Sequence, residues 1–355
     1  MQNYLIEIFG SEIVAYILAT VPVLAFIVLF VLFAVWLERK VSAHMQDRLG
    51  PMRVGWHGVL QTLADFLKLL QKEDIIATAN DKALFNIAPY VVFVTTLATF
   101  TMLPFTSIFI GSNADVGIFF VLAFSGAVVA GILMAGWASN NKYSLYGSLR
   151  SAAQIVSYEI PTALVVLTMI MLYGTMSLGE ITIAQTSHFW NWGIFGGPEL
   201  GLAKILLVPF MFVAFIILFI STLAESNRTP FDLPESESEL VAGFNTEYSG
   251  IKFSMFFLSE FANMFLIGSI LVIFFFGGYN SPFGYLGNLL GIEWLIPIEQ
   301  LLWFLGKGMF FVFVDMWLRW TLPRVRVDQL MTICWKYLIP YAFFNLLIVG
   351  LILLI

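Results

Sequence analysis

The chain has 355 residues, of which 60% are hydrophobic and only 11% charged, with a mean hydropathy of +0.90; soluble domains average roughly 45–50% apolar and about 25% charged residues. A water-soluble globular fold is thereby excluded, and several apolar runs exceed the roughly 20 residues that cross a bilayer. The formal charge of -6 says little, because the position of charges in a membrane protein outweighs their sum.

Apolar runs predict eight spanning helices near 13–36, 83–108, 116–138, 160–180, 203–223, 251–277, 299–318 and 335–355. The fold class expected is an all-α polytopic bundle, with residues 1–355 forming a single membrane domain. Residues 1–12 hold Glu7 and Glu12 but no Lys or Arg, and the run that follows is longer than a secretory h-region, so it reads as an uncleaved first helix. Apart from Lys204 and Lys307, the basic residues fall in alternate connections. Positive charge beside a span marks the cytoplasmic side, which puts those connections inside and both termini outside. Cys334 is the only cysteine, and His44, His57 and His188 the only histidines. A disulfide, an iron–sulfur cluster or a bis-histidine haem therefore has no convincing ligand set in this chain.

In chain order, Glu38-Arg39-Lys40 closes the first span. Snorkelling explains the cations, but Glu38 at the membrane edge needs a partner, Arg39 or another cation nearby. Asp47-Arg48-Leu49-Gly50-Pro51 then makes a charged turn. Residues 54–73 have helical period but are too polar to span. His57, Gln61, Asp65, Lys68 and Lys72 form one stripe, opposite Leu60, Leu63, Leu67 and Leu70. A solvated interfacial helix would account for that stripe, and so would a helix facing a polar cavity.

Residues 136–161 bring Arg150 and Glu159 to the membrane edge, where Glu159, two residues before Pro161, suits a helix start. The stretch 225–247 carries Glu225, Asp232, Glu235, Glu237, Glu239 and Glu247 against the single cation Arg228. A helix starting near Pro234 would set Glu235 and Glu239 one turn apart, able to share a proton. Interleaved Phe231, Leu233, Leu240, Val241 and Phe244 argue for a folded, partly buried loop. Glu260, Lys307 and Asp315 lie at membrane depth, where ionisable groups mark a polar pathway or a buried pair. Arg319, Arg324, Arg326 and Lys336 make the last inner connection basic, suited to anionic headgroups or an acidic partner.

Together, ERK at 38–40, DRLGP at 47–51, ADFLKL at 64–69, SLRSAAQIVSYEIP at 148–161, ESNRTPFDLPESESELVAGFNTEYSG at 225–250 and PRVRVDQLM at 323–331 resemble the H subunits of respiratory complex I, the proton-translocating NADH:quinone oxidoreductase. The resemblance takes in every inner segment in order. It implies a subunit that forms a quinone chamber together with soluble partners, in a bacterial inner membrane. It implies quinone-site roles for Glu38, Arg39, Arg48, Arg53, Asp65 and Lys68. Proton-coupling roles would fall to Glu159, Glu225, Asp232, Glu235, Glu237, Glu239, Glu247 and Glu260. Quinone would be the substrate; FMN and iron–sulfur clusters would belong to subunits of the peripheral arm, and small membrane subunits of the proton-pumping arm would be neighbours. No metal, no nucleic acid and no catalysis by this chain alone is expected. Asp315 matches no family position. A membrane subunit of a proton-pumping hydrogenase keeps the same fold and is the nearest rival; a stand-alone ion transporter is more distant, since no internal repeat is present.

Overall fold

The computed structural model describes residues 12–112, 114–186, 188–198, 202–234 and 237–354. Residues 1–11 and Glu235 lie outside the described residues. The helices are α1 (Glu12–Met45), α2 (Gln61–Gln71), α3 (Lys82–Thr101), α4 (Gly117–Ala138), α5 (Lys142–Tyr173), α6 (Leu178–Ala184), α7 (Leu202–Glu225), α8 (Glu237–Leu240), α9 (Gly250–Phe275), α10 (Leu286–Leu290), α11 (Ile296–Thr321), α12 (Val327–Thr332) and α13 (Ile339–Leu353). Among the described residues, eight helical stretches are long and apolar enough to span a membrane, α12 and α13 forming one of them through a π-helical turn at Ile333–Leu338. The chain is a multi-pass α-helical membrane protein.

α9 is the axis of the bundle. Of its most apolar window 78% is buried, against 28% for α4, so polar groups on α9 face protein instead of lipid. Phe265 on α9 packs edge-on to Phe26 at 5.2 Å and tilted against Phe30 at 4.9 Å, both on α1, and meets Phe304 on α11. Such ring contacts add to area burial by about 0.5–1.5 kcal/mol each and fix α1, α9 and α11 around one interior.

The spans differ from the expected ones at their inner ends. α1 runs on to Met45, so Glu38 and Arg39 sit on a continuous helix. α5 begins at Lys142, where Asn141 Oδ1 accepts from the Tyr143 amide at 2.9 Å, and passes through Pro161 to end at Gly174 with φ 69°. Glu159 is therefore mid-helix and not at a helix start. The polar appearance of residues 142–157 comes from Ser144, Ser148 and Ser151, all buried, and small residues let helices approach closely. A Cβ on Gly136 would collide with the Ser148 side chain, and one on Gly147 would lie 2.7 Å from the Cα of Gly243. α4 and the acidic loop thus both lean on α5.

α2 spans fewer residues than its periodicity suggests. A 3-10 turn at Trp56–Gly58, with His57 at φ 51°, precedes it, and Lys72 is extended. His57 and Lys72 thereby leave the stripe, and Gln61, Asp65 and Lys68 remain.

The acidic loop is folded. Gln154 of α5 donates to the carbonyls of Ala224 at 2.7 Å and Phe231 at 2.8 Å. Phe231, Leu233, Leu240 and Phe244 are buried, as their interleaving predicts, while Val241 is exposed.

Candidate functional site

Two adjoining cavities open beside α1 and α9, the first closed by α2 and the second by the acidic loop and α11. The first, of about 290 Å³, is mostly apolar, walled by Val28, Val31 and Leu32 of α1, Phe66 and Leu69 of α2, and Leu258 of α9. The second, of about 360 Å³, is charged, with Glu38, Arg228, Glu260 and Arg319 in its wall. Val35, Arg39, Phe253 and Phe257 line both, so the two are compartments of one space.

Arg39 stands at the junction. Its Nη1 lies 2.6 Å from Asp65 Oδ2, and Gln61 Nε2 donates to Asp65 Oδ1 at 3.1 Å. The i, i+4 spacing of Gln61 and Asp65 produces the second contact, and the helical run of α1 past residue 36 produces the first. Burial works to raise the Asp65 pKa; hydrogen bonds from Arg39 and Gln61, with the charges of Arg39 and Lys68, outweigh it and hold the carboxyl below its ordinary range. Lys68 lines the apolar compartment.

Glu38 finds its cations far along the chain. Its Oε1 pairs with Arg319, and its Oε2 lies 3.3 Å from Arg228 Nη1. Arg228 Nη2 lies 3.2 Å from Glu260 Oε1, and its guanidinium sits over Phe261 at 4.3 Å from the ring centroid. Of the expected partners, Arg39 or another cation, it is other cations that meet Glu38; Arg39 points to Asp65, because adjacent residues on a helix diverge by about 100°. Arg228, the lone cation of the acidic loop, is the hub of this cluster and is buried. Asp315 is buried near it, with Oδ1 lacking a hydrogen-bond partner. Asp232 pairs with Arg324 at 3.1 Å; burial lifts its pKa above the ordinary value against the pull of Arg324, Arg319 and Arg228.

Smaller cavities, mostly apolar but with polar groups set in their walls, continue from the cluster into the bundle. Glu260 and Asn245 also line a space of about 40 Å³ with Ser259, Asn263 and Glu225. Glu225 and Asn263 in turn line a space of about 80 Å³ with Thr96, Thr99, Ser125, Thr162 and Thr222. Both exceed the roughly 10–15 Å³ that a water centre needs. Thr162 Oγ1 donates to Glu225 Oε1 at 2.7 Å, and Ser125 Oγ donates to Glu159 Oε1 at 3.0 Å. A line of carboxylates and hydroxyls thus leads from Glu38 and Glu260 through Glu225 toward Glu159. The hydroxyls and Asn263 are not among the residues that charge and spacing single out; Ser and Thr inside apolar runs were their only signal.

Other candidates stand apart. Arg48 and Arg53 are exposed, Arg48 bonding to Gln46 at 2.7 Å, and neither lines these cavities. Glu247 accepts from Asn141 at 2.7 Å and tethers the loop. Of the expected Glu235–Glu239 pair, Glu235 lies outside the described residues, and only Glu239 can be placed. Glu239 is exposed, lies 2.6 Å from Arg150, and is held below the ordinary carboxylate range by that hydrogen bond and charge. The helix bearing it begins at Glu237, whose backbone alone is described, and makes a single turn. Among the described residues, no group of three or more His, Cys, Asp and Glu side chains could hold a metal ion.

A family model described as NADH dehydrogenase matches residues 18–350. The chain belongs to the NADH dehydrogenase family. It is 51% identical over 338 residues to the H subunit of the NADH-quinone oxidoreductase of Chlorobium luteolum, covering 94% of this chain and 88% of that protein. The corresponding H subunit of Chlorobaculum tepidum is 51% identical over 330 residues, 92% of this chain and 89% of the relative. One of the H subunits of Cytophaga hutchinsonii, numbered 2, is 44% identical over 351 residues, 92% of this chain and 96% of the relative. The family's named relatives are thus quinone oxidoreductase subunits, and the hydrogenase alternative is not favoured.

Proposed function

We propose that the chain is the H subunit of an NADH-quinone oxidoreductase in a bacterial inner membrane, that the two-compartment cavity admits the quinone, and that the charged cluster couples quinone reduction to proton translocation. The observation that carries this reading is the junction at Arg39, where an apolar compartment fit for an isoprenoid tail opens on one lined by charge. Soluble subunits of the peripheral arm complete the chamber and hold the flavin and iron–sulfur groups; small membrane subunits adjoin the bundle.

Quinone reduction takes two electrons and two protons, so negative charge develops on the headgroup oxygens. Arg39, Arg228 and Arg319 are the cations at hand to stabilise it, and in a site of low dielectric their effect is larger than in water. Drawing either Arg228 or Arg319 toward the headgroup loosens it from Glu38 or Glu260. The carboxylate left behind regains balance by taking a proton, and the hydroxyls and carboxylates set in the walls of the cavities toward Glu225 offer a route for it. Coupling follows because quinone state and carboxylate protonation bias the same ion cluster.

The test compares Arg39→Ala and Asp65→Asn in the assembled complex. Quinone reductase activity is expected to fall at least about tenfold, the worth of one charge-assisted hydrogen bond near 1.4 kcal/mol. Electron transfer from NADH to an artificial acceptor that bypasses the quinone is expected to stay at the wild-type level. Equal loss of both would remove these residues from the quinone step.

A further inference from the structure

A further cavity, of about 950 Å³, is lined by the loop after α9 and the start of α11, at the other end of the bundle from the charged cluster and at the upper end of the roughly 300–1,000 Å³ of ligand sites. One wall is the first half of α11, with Glu299, Trp303, Gly306 and Phe310; the other is formed by Trp192 and Phe283. Lys307 builds the corner between them. Its ammonium donates to the carbonyls of Phe276 at 2.7 Å, Gly278 at 3.0 Å and Asn280 at 2.6 Å, and lies 4.3 Å from the centroid of Trp192. An ammonium has three N–H donors, so Lys307 is fully used in joining the loop after α9 to α11, which accounts for a cation at this depth.

Glu299 is different. Its Oε1 is buried and has no hydrogen-bond partner among the described residues, a costly arrangement unless a donor arrives from outside the chain. The cavity also has a telling length. From Glu299 to Phe311 α11 rises about 18 Å at about 1.5 Å per residue, close to half of the roughly 30 Å hydrocarbon core. It reaches from the interface to the midplane and stops. A neighbouring spanning helix would cover both halves of α11, whereas one lipid occupies one leaflet.

We propose that this cavity binds one phospholipid with a primary-amine headgroup from the outer leaflet, its ammonium on Glu299 and an acyl chain between Trp303, Gly306 and Phe310. A primary ammonium brings N–H donors to the Glu299 oxygen, and a quaternary choline brings none. This site is independent of the quinone reading.

Gly306 allows a clean test, because it lines the cavity and a Cβ there meets nothing within 4 Å; Gly306→Leu narrows the cavity at the acyl-chain position and favours the helix. The detergent-purified complex is equilibrated with vesicles of equal phosphatidylethanolamine and phosphatidylcholine, then washed, and bound lipid is counted by mass spectrometry. The wild type is expected to keep one more phosphatidylethanolamine per complex than Gly306→Leu, and Glu299→Gln to lose the preference over phosphatidylcholine by about tenfold. Equal lipid content in wild type and Gly306→Leu would overturn the proposal. In a second measurement, benzoylphenylalanine replaces Phe310 and is photo-activated: an adduct of lipid mass supports the site, and cross-linking to a neighbouring protein overturns it.

Discussion

Replacing Arg228 by methionine removes the hub of the charged cluster while keeping an unbranched side chain of similar reach. The substitution deletes ion pairs at 3.3 Å to Glu38 and 3.2 Å to Glu260 and the cation over Phe261 at 4.3 Å. Glu38 keeps Arg319, but Glu260 keeps no ion pair among the described residues. Removing one partner of a buried pair costs about 3–5 kcal/mol, because the other charge stays buried without compensation, and the lost cation–π contact adds about 0.5–2 kcal/mol. The triple variant Arg228→Met, Glu38→Gln, Glu260→Gln also removes the orphaned charge of Glu260 and the charge of Glu38. Arg319 then loses Glu38, yet its side chain is 33% exposed and can be hydrated. Neutral replacement of a whole buried cluster is close to neutral in stability, so the triple variant is expected to regain most of the thermal stability of the assembled complex. It is not expected to regain proton-coupled quinone reduction. The assay pairs retention of the intact complex on heating, followed by native gel, with quinone reductase activity beside the artificial-acceptor control. A single variant as heat-stable as the wild type would show that Arg228 is a solvated bystander, and a triple variant with full coupled turnover would refute the role given to the cluster.

Two further outcomes follow from the site. A double-mutant cycle between Arg39 and Asp65 is expected to give a coupling of about 0.2–1 kcal/mol, modest because both side chains are partly exposed. Since the folded Asp65 pKa lies below its unfolded value, the coupling should be constant at neutral pH and fade only as pH falls below about 4; a coupling lost between about pH 8 and 6 would contradict the direction of that shift. Glu225→Gln is expected to slow quinone turnover and lower proton uptake in liposomes, whereas Glu239→Gln, on an exposed side chain already ionised against Arg150, leaves both near wild type; the reverse pattern would place the proton route in the loop instead of the bundle.

Much of the architecture was legible because a bilayer imposes its own arithmetic: apolar runs of spanning length and a one-sided distribution of Lys and Arg fixed the count and order of the spans. The local stripe of Gln61, Asp65 and Lys68 likewise emerged from helical spacing. What spacing could not reach was pairing across the chain. Glu38 meets Arg228 across 190 positions and Arg319 across 281, and only the packing of α1, α11 and the acidic loop around α9 brings them together. The start of α5 was hidden because buried serines at a helix crossing look like a polar connection. Nor could spacing show that Arg150, distant in sequence, sits beside Glu239.

The central claim is that quinone occupies the space between α1, α2 and α9. The most direct test is a quinone analogue bearing a photoreactive group on its isoprenoid tail, cross-linked in the purified complex and mapped by peptide mass spectrometry. Adducts are expected on Val28–Leu32 of α1, on Phe66 or Leu69 of α2, or on Phe253–Leu258 of α9, and they should disappear when excess unlabelled quinone competes. Competed adducts confined to other proteins of the complex, with none on these three helices, would contradict it.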